Sequence, residues 1–164
     1  MTSLNDPKVV LKNLLAAEWD ETNTHGVTPE FRTGWRDGDL DAPQVTTGPD
    51  DESPTSDTGF TGIAPDGSGP TARVRGSVNL NVWTSREVLD GVNPKLAADE
   101  ITGEARRIVR DHYDISAHPT VDAENYRYIS WFGRTFMPEE PQEPEAEPIY
   151  RYLAEVRYEY LDRR

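Results

Sequence analysis

Asp37, Asp39 and Asp41 stand at alternate positions, the spacing with which a calcium-binding loop opens. Such a loop also needs glycine at its sixth position and a bidentate glutamate at its twelfth, and this chain has Ala42 and Gly48 there. The run reads as an acidic turn. His25, His112 and His118 are the only histidines, and none has a second histidine or a carboxylate at a metal-site spacing along the chain. The absence of cysteine excludes disulfides, thiolate metal sites and cysteine nucleophiles together. Pro65-Asp-Gly-Ser-Gly-Pro70 has glycines but lacks the lysine and the following helix of a phosphate loop. No catalytic motif, cofactor site or metal site is spelled out, and the chain reads as non-enzymatic.

The chemistry that remains is recognition. Arg73 and Arg75 share one face of an alternating run with Trp83, and aromatics exposed beside arginines are typical protein–protein anchors. The alternative for Trp83 is that the first helix or the N-terminal strands cover it. Phe60 stands almost alone as a large apolar residue in the polar stretch Gly48–Pro70, a candidate docking arm. Glu139, Glu140 and Glu143 belong to a Pro/Glu-rich run, Pro138–Pro148, which reads either as a solvated hairpin connector or as an acidic arm for a basic patch on a neighbour. Arg73, Arg75, Trp83, Phe60, Glu139, Glu140 and Glu143 are the candidate interface residues.

Those residues need a scaffold, and the hydrophobic pattern supplies one. Val74, Gly76, Val78, Leu80 and Val82 alternate with Arg73, Arg75, Ser77, Asn79, Asn81 and Trp83, the period of a half-buried strand. Asp6-Pro7 opens an amphipathic helix that carries Val10, Leu11, Leu14 and Leu15 and ends near Trp19. Asn93-Pro94 opens a second, with Leu96, Ala97, Ile101, Ala105, Ile108 and Val109 at helical spacing as far as about His112. Short extended pieces are expected at Glu30–Trp35 and Pro43–Thr47. Tyr126–Phe136 and Ile149–Leu161 are rich in aromatic and β-branched residues and read as two paired strands. The order predicts one α+β domain over residues 1–164, with a four- to five-stranded antiparallel or mixed sheet flanked by two helices.

Charge narrows the function classes. Thirty acidic against 17 basic residues give −13, and only Lys8, Lys12 and Lys95 among the bases are lysines. An acidic surface that uses Arg in place of Lys reads as the composition of an extreme halophile; the alternative is an acidic mesophilic protein. In molar salt the Debye length falls to about 3 Å, which screens the self-repulsion. Affinity for nucleic-acid phosphates rests on Lys and Arg, so specific nucleic-acid binding is not expected. No apolar run approaches the ~20 residues of a membrane span, and no signal-peptide core is apparent, so a soluble, unexported chain is expected.

Taken in this order, helix, early strands, the long Val-Arg-Gly-Ser-Val-Asn-Leu-Asn-Val-Trp strand, the helix Pro94–His112 and a C-terminal strand pair, the chain resembles the tail terminator and tail-completion proteins of tailed viruses. The composition makes a virus of haloarchaea the natural setting. The resemblance implies a structural virion protein of the tail or neck, assembled in the host cytoplasm, that forms a homo-oligomeric ring of six copies at the head–tail junction. It implies the tail tube protein and the neck or connector proteins as partners, with DNA passing through the ring. The long Gly48–Pro70 stretch and the Pro/Glu connector depart from the family pattern. Another neck or tail-tube subunit, or a haloarchaeal small-ligand-binding domain with tyrosines lining its pocket, are the alternatives.

Overall fold

The computed structural model describes residues 6–36, 40, 42–54, 62–63, 70–85, 91–139 and 148–163. Two helices and the sheet they cover make an α+β arrangement. Helix α1 (Pro7–Glu18) starts where the Asp6 carboxylate accepts the Lys8 amide at 2.9 Å and Pro7 supplies a φ already suited to the first turn. Helix α2 (Pro94–Asp111) starts in the same way, with Asn93 accepting the amides of Lys95 and Leu96. Both signals are local, so the sequence places both helix starts correctly.

The strands are β1 (Glu30–Thr33), β2 (Gln44–Pro54), β3 (Gly62–Ile63), β4 (Pro70–Ser85), β5 (Tyr126–Glu139) and β6 (Ile149–Arg163). The main path across the sheet is β1-β2-β4-β6-β5, with the two-residue β3 added to β4. Among the described strands only the β1–β2 pair is parallel. β5 and β6 pair antiparallel along their length, Glu139 standing opposite Ile149. Residues 140–147 between them, which include Glu140 and Glu143, lie outside the described residues, as do Phe60 and the acidic run Asp37, Asp39 and Asp41.

Two boundaries differ from the expectation: β1 stops at Thr33 instead of Trp35, and β2 does not stop at Thr47. The extended piece expected to stop at Thr47 continues to Pro54, through a register shift between Thr47 and Asp50. Gly48 occupies φ 135° in that irregularity, a conformation open to glycine, and Asp50 resumes the ladder opposite Val78. The Gly and Pro that read as the start of a long loop therefore make a bulge inside a strand. β5 carries two further irregularities, one between Trp131 and Gly133.

Both helices pack on one face of the sheet. Val10, Leu11, Leu14 and Leu15 of α1 and Ala98, Ile101, Ala105, Ile108 and Val109 of α2 share one buried cluster with Val74, Val78, Leu80 and Val82 of β4 and Ala154, Val156, Tyr158 and Tyr160 of β6. Each large side chain buried there contributes roughly 1.5–3 kcal/mol. Gly76 is fixed by close approach: a Cβ on it would run into the Asp51 carbonyl oxygen and the Tyr158 hydroxyl. The tyrosines that a ligand pocket would need are spent on this core. Tyr158 and Tyr160 stack, and Tyr126 meets both edge-on or tilted.

Candidate interaction face of the sheet

Register assigns the other face. Arg73, Arg75, Ser77, Asn79, Asn81 and Trp83 stand opposite Leu161, Glu159, Arg157, Glu155, Leu153 and Arg151 of β6, and neither helix covers them. The two ends of this face differ.

At the Arg73 end the face is charged. Glu159 is buried, with 3% of its side chain exposed, and three arginines converge on it. Arg75 Nε donates to Oε2 at 2.6 Å, while Arg73 Nε and Arg127 Nη1 lie 3.3 and 3.1 Å from Oε1. The Glu159 carboxylate raises the pKa of Arg75 further above its ordinary value. Arg73 and Arg75 are thus neighbours on one face, as expected, and both are tied to Glu159. A buried carboxylate is tolerated because its lone pairs are filled by charged donors.

At the other end the expectation of an exposed Trp83 is corrected. Trp83 is completely buried. The chain leaving β1 folds back over it, so that Trp35 meets it edge-on and Arg36 Cζ lies 5.5 Å from its ring centroid. Arg151 Cζ lies 4.8 Å from the Trp35 ring and 5.0 Å from the Trp83 ring, a cation–π arrangement shared by both. The indole N–H donates to Thr46 Oγ1 at 3.1 Å, and Arg151 Nε donates to Asn81 Oδ1 at 2.9 Å. The N-terminal strands provide the cover. The exposed aromatic at this end is Trp35.

Between the ends, Phe132 is 58% exposed and carries the Arg157 guanidinium 3.4 Å from its ring centroid. It borders a depression of about 260 Å³ lined with Asn79, Thr135, Leu153 and Glu155. Met137 is also exposed. Phe132, Met137, Trp35 and Arg157 were not singled out from sequence. Gly133, a glycine inside an aromatic strand, is the signal for the bulge that turns Phe132 outward. Glu139 ends β5 beyond Met137; its side chain, with Phe60, Glu140 and Glu143, lies outside the described residues.

Two other places have the makings of chemistry. A depression of about 380 Å³ lies at the start of α2, lined by Asn93, Lys95, Leu96, Asp99 and Tyr152. The Tyr152 hydroxyl donates to Asp99 Oδ1 at 3.2 Å, and burial, followed by that carboxylate, pushes its pKa up. Tertiary structure also brings Glu18 to His112 and His118, from which it is far removed in sequence. His118 Nε2 lies 2.8 Å from Glu18 Oε1, and His112 Nε2 lies 3.5 Å from Oε2.

The His118 ring decides what that cluster is. Its Nδ1 accepts the amides of Thr120 and Val121 at 3.2 and 3.1 Å. The neutral ring therefore holds its proton on Nε2 and donates it to Glu18, which lowers the Glu18 pKa. A metal-bound histidine has the reverse arrangement, with the far nitrogen donating to an acceptor. The cluster is built to pin the end of α1 to the loop after α2, and it does not offer a metal the lone pair of Nε2. Set against known proteins, the chain matches no protein-family model and no curated protein sequence.

Proposed function

We propose that this chain is a structural virion protein of a halophilic tailed virus, a subunit of a homo-oligomeric ring at the head–tail junction that caps the tail tube and joins it to the neck. One observation carries the reading as an assembly subunit. Among the described residues the sheet face away from the helices is covered only at its Trp83 end, by Trp35 and Arg36, and it presents Trp35 beside Arg151, Phe132 beside Arg157, and Met137 to solvent. Exposed large apolar residues rimmed by charge mark surfaces that other chains bury. The element order and the arginine-for-lysine acidity supply the setting. With 30 acidic against 17 basic residues, the ring wall would offer translocating DNA little phosphate-binding charge.

A ligand-binding domain has one observation in its favour, the depression beside Asp99 and Tyr152. It is the weaker reading because Tyr126, Tyr158 and Tyr160 are packed into the core and only Tyr152 reaches that depression.

Mass in molar salt separates the two. A ring of six 18.5 kDa chains runs at about 111 kDa, whereas a pocket domain runs as a monomer or dimer. Labelling the protein in purified virions then tests the location; signal away from the head–tail junction removes the terminator assignment.

A further inference from the structure

The sheet ends in two strands that are unpaired on their outer sides among the described residues, β1 and β5. Among the described residues β5 pairs only with β6, and its backbone bonds outside that ladder are at its start, Tyr126 N–H donating to the Ala123 carbonyl and Ile129 N–H to the Tyr113 carbonyl, each at 3.0 Å. Natural edges are blunted with lysine, proline, a bulge or a covering element. The bulge of β5 lies between Trp131 and Gly133; from Arg134 to Met137 the ladder is regular, with no lysine or proline, and the one charge there, Arg134, is held by Asp99 of α2 at 2.8 Å. The exposed hydrophobic residues gather along the same strand. Phe132 and Met137 belong to β5, Tyr113 stacks on Tyr128 of β5, and Leu96 shares a depression with Tyr152, whose ring lies 5.2 Å from Phe136.

The geometry points to this edge as the contact between copies of the chain: β5 of one copy takes up β1 of the next as an added antiparallel strand. The inference rests on the ring reading above. Strand directions favour the pairing. β1 runs with β2, and each of the steps β2 to β4, β4 to β6 and β6 to β5 reverses direction, so β1 and β5 are opposed. Rotation about an axis along the strands preserves those directions. The next copy then offers β1 antiparallel to β5, the better-bonded arrangement. Because the joined edges are unlike, the contact is heterologous and can repeat until a ring closes. Pairing β5 with β5 about a two-fold axis would stop at two copies.

The chain has no cysteine, so introduced thiols report only themselves. Glu30→Cys and Thr135→Cys lie on exposed residues of the two edges, both on the face away from the helices. Each single variant and the double variant are treated in molar salt with a short bis-maleimide, whose length tolerates a small register offset. The double variant is expected to give a ladder of covalent multimers after denaturation, and each single variant none. Covalent dimers from Thr135→Cys alone would overturn the inference in favour of two-fold pairing. A double variant that keeps the mass of a ring without cross-linking would overturn the edge contact and leave the ring reading standing. A protein that stays monomeric at every salt concentration overturns both. Thr135→Lys, a blunted edge at an exposed position, should leave the chain folded and lose the ring; a blunted variant that still forms full rings would also count against the contact.

Discussion

Trp83 meets Trp35 edge-on, with ring centroids 4.9 Å apart and planes at 74°; the inner ring is closed to solvent and the outer ring is 54% exposed. The pair divides one recognition motif into a core residue and a surface residue. Trp83→Ala should cost about 3–5 kcal/mol in urea unfolding, the usual range for removing a buried aromatic. It also leaves Thr46 without its indole donor. Trp35→Ala should cost about 1 kcal/mol, the worth of the aromatic contact, and should weaken self-association more than folding. An unchanged unfolding midpoint for Trp83→Ala would mean that the fold-back over the sheet does not form.

Glu104 predicts an acid-labile fold. It is buried on α2, where it accepts the Asp20 amide at 3.2 Å, the Asn23 side-chain amide at 2.8 Å and the Arg107 guanidinium. Burial alone would raise its pKa, but the bonds from Arg107, Asn23 and Asp20 outweigh it and hold the group below its ordinary 4.5. Glu18 is lowered by the His118 bond. The folded state therefore binds fewer protons than the unfolded state in this range, and stability is present above the unfolded pKa values and lost as pH falls through the folded ones. The melting temperature should be flat near neutrality and decline below about pH 5. Glu104→Gln should cost about 2 kcal/mol at neutral pH, the scale of a hydrogen bond to a charged group, and should make the acid decline shallower. A decline as steep in the variant as in the wild type would remove Glu104 from the cause.

His118 yields a prediction that separates a hydrogen-bonded clamp from a metal centre. Excess zinc should leave the melting temperature unchanged, because Nε2 keeps its proton and donates it to the Glu18 carboxylate while Nδ1 accepts two amides. A zinc-dependent rise, which tight binding to the folded state would produce, contradicts that arrangement. His118→Ala should cost about 1–3 kcal/mol by leaving the Thr120 and Val121 amides without an acceptor.

Gly76→Ala tests the close packing of β4 against its neighbours. The added methyl would meet the Asp51 carbonyl oxygen, which is backbone, as well as the Tyr158 hydroxyl. Overpacking of this kind costs about 1–3 kcal/mol. A calorimetric melting temperature equal to the wild type would show that β2 can give way.

The sequence by itself determined the parts whose signals are local. Asp6-Pro7 and Asn93-Pro94 set the helix starts because the cap and the proline act within one turn. Alternation through Val74–Val82 set the buried face of β4, because a strand's side chains alternate whatever lies beside them. Tertiary structure decided everything that depends on which chain segment returns to which face. Alternation put Trp83 on the polar face correctly but could not show that Trp35 and Arg36 come back to close that end. Spacing along the chain could not bring Glu18 to His112 and His118, because the three meet only when α1 and the end of α2 pack on one sheet. Arg73 and Arg75 were visible as a pair, whereas Glu159 between them and Arg127 depended on β6 being sandwiched by β4 and β5. A strand's period names its two faces, and the long-range folding of the chain decides which of them is covered.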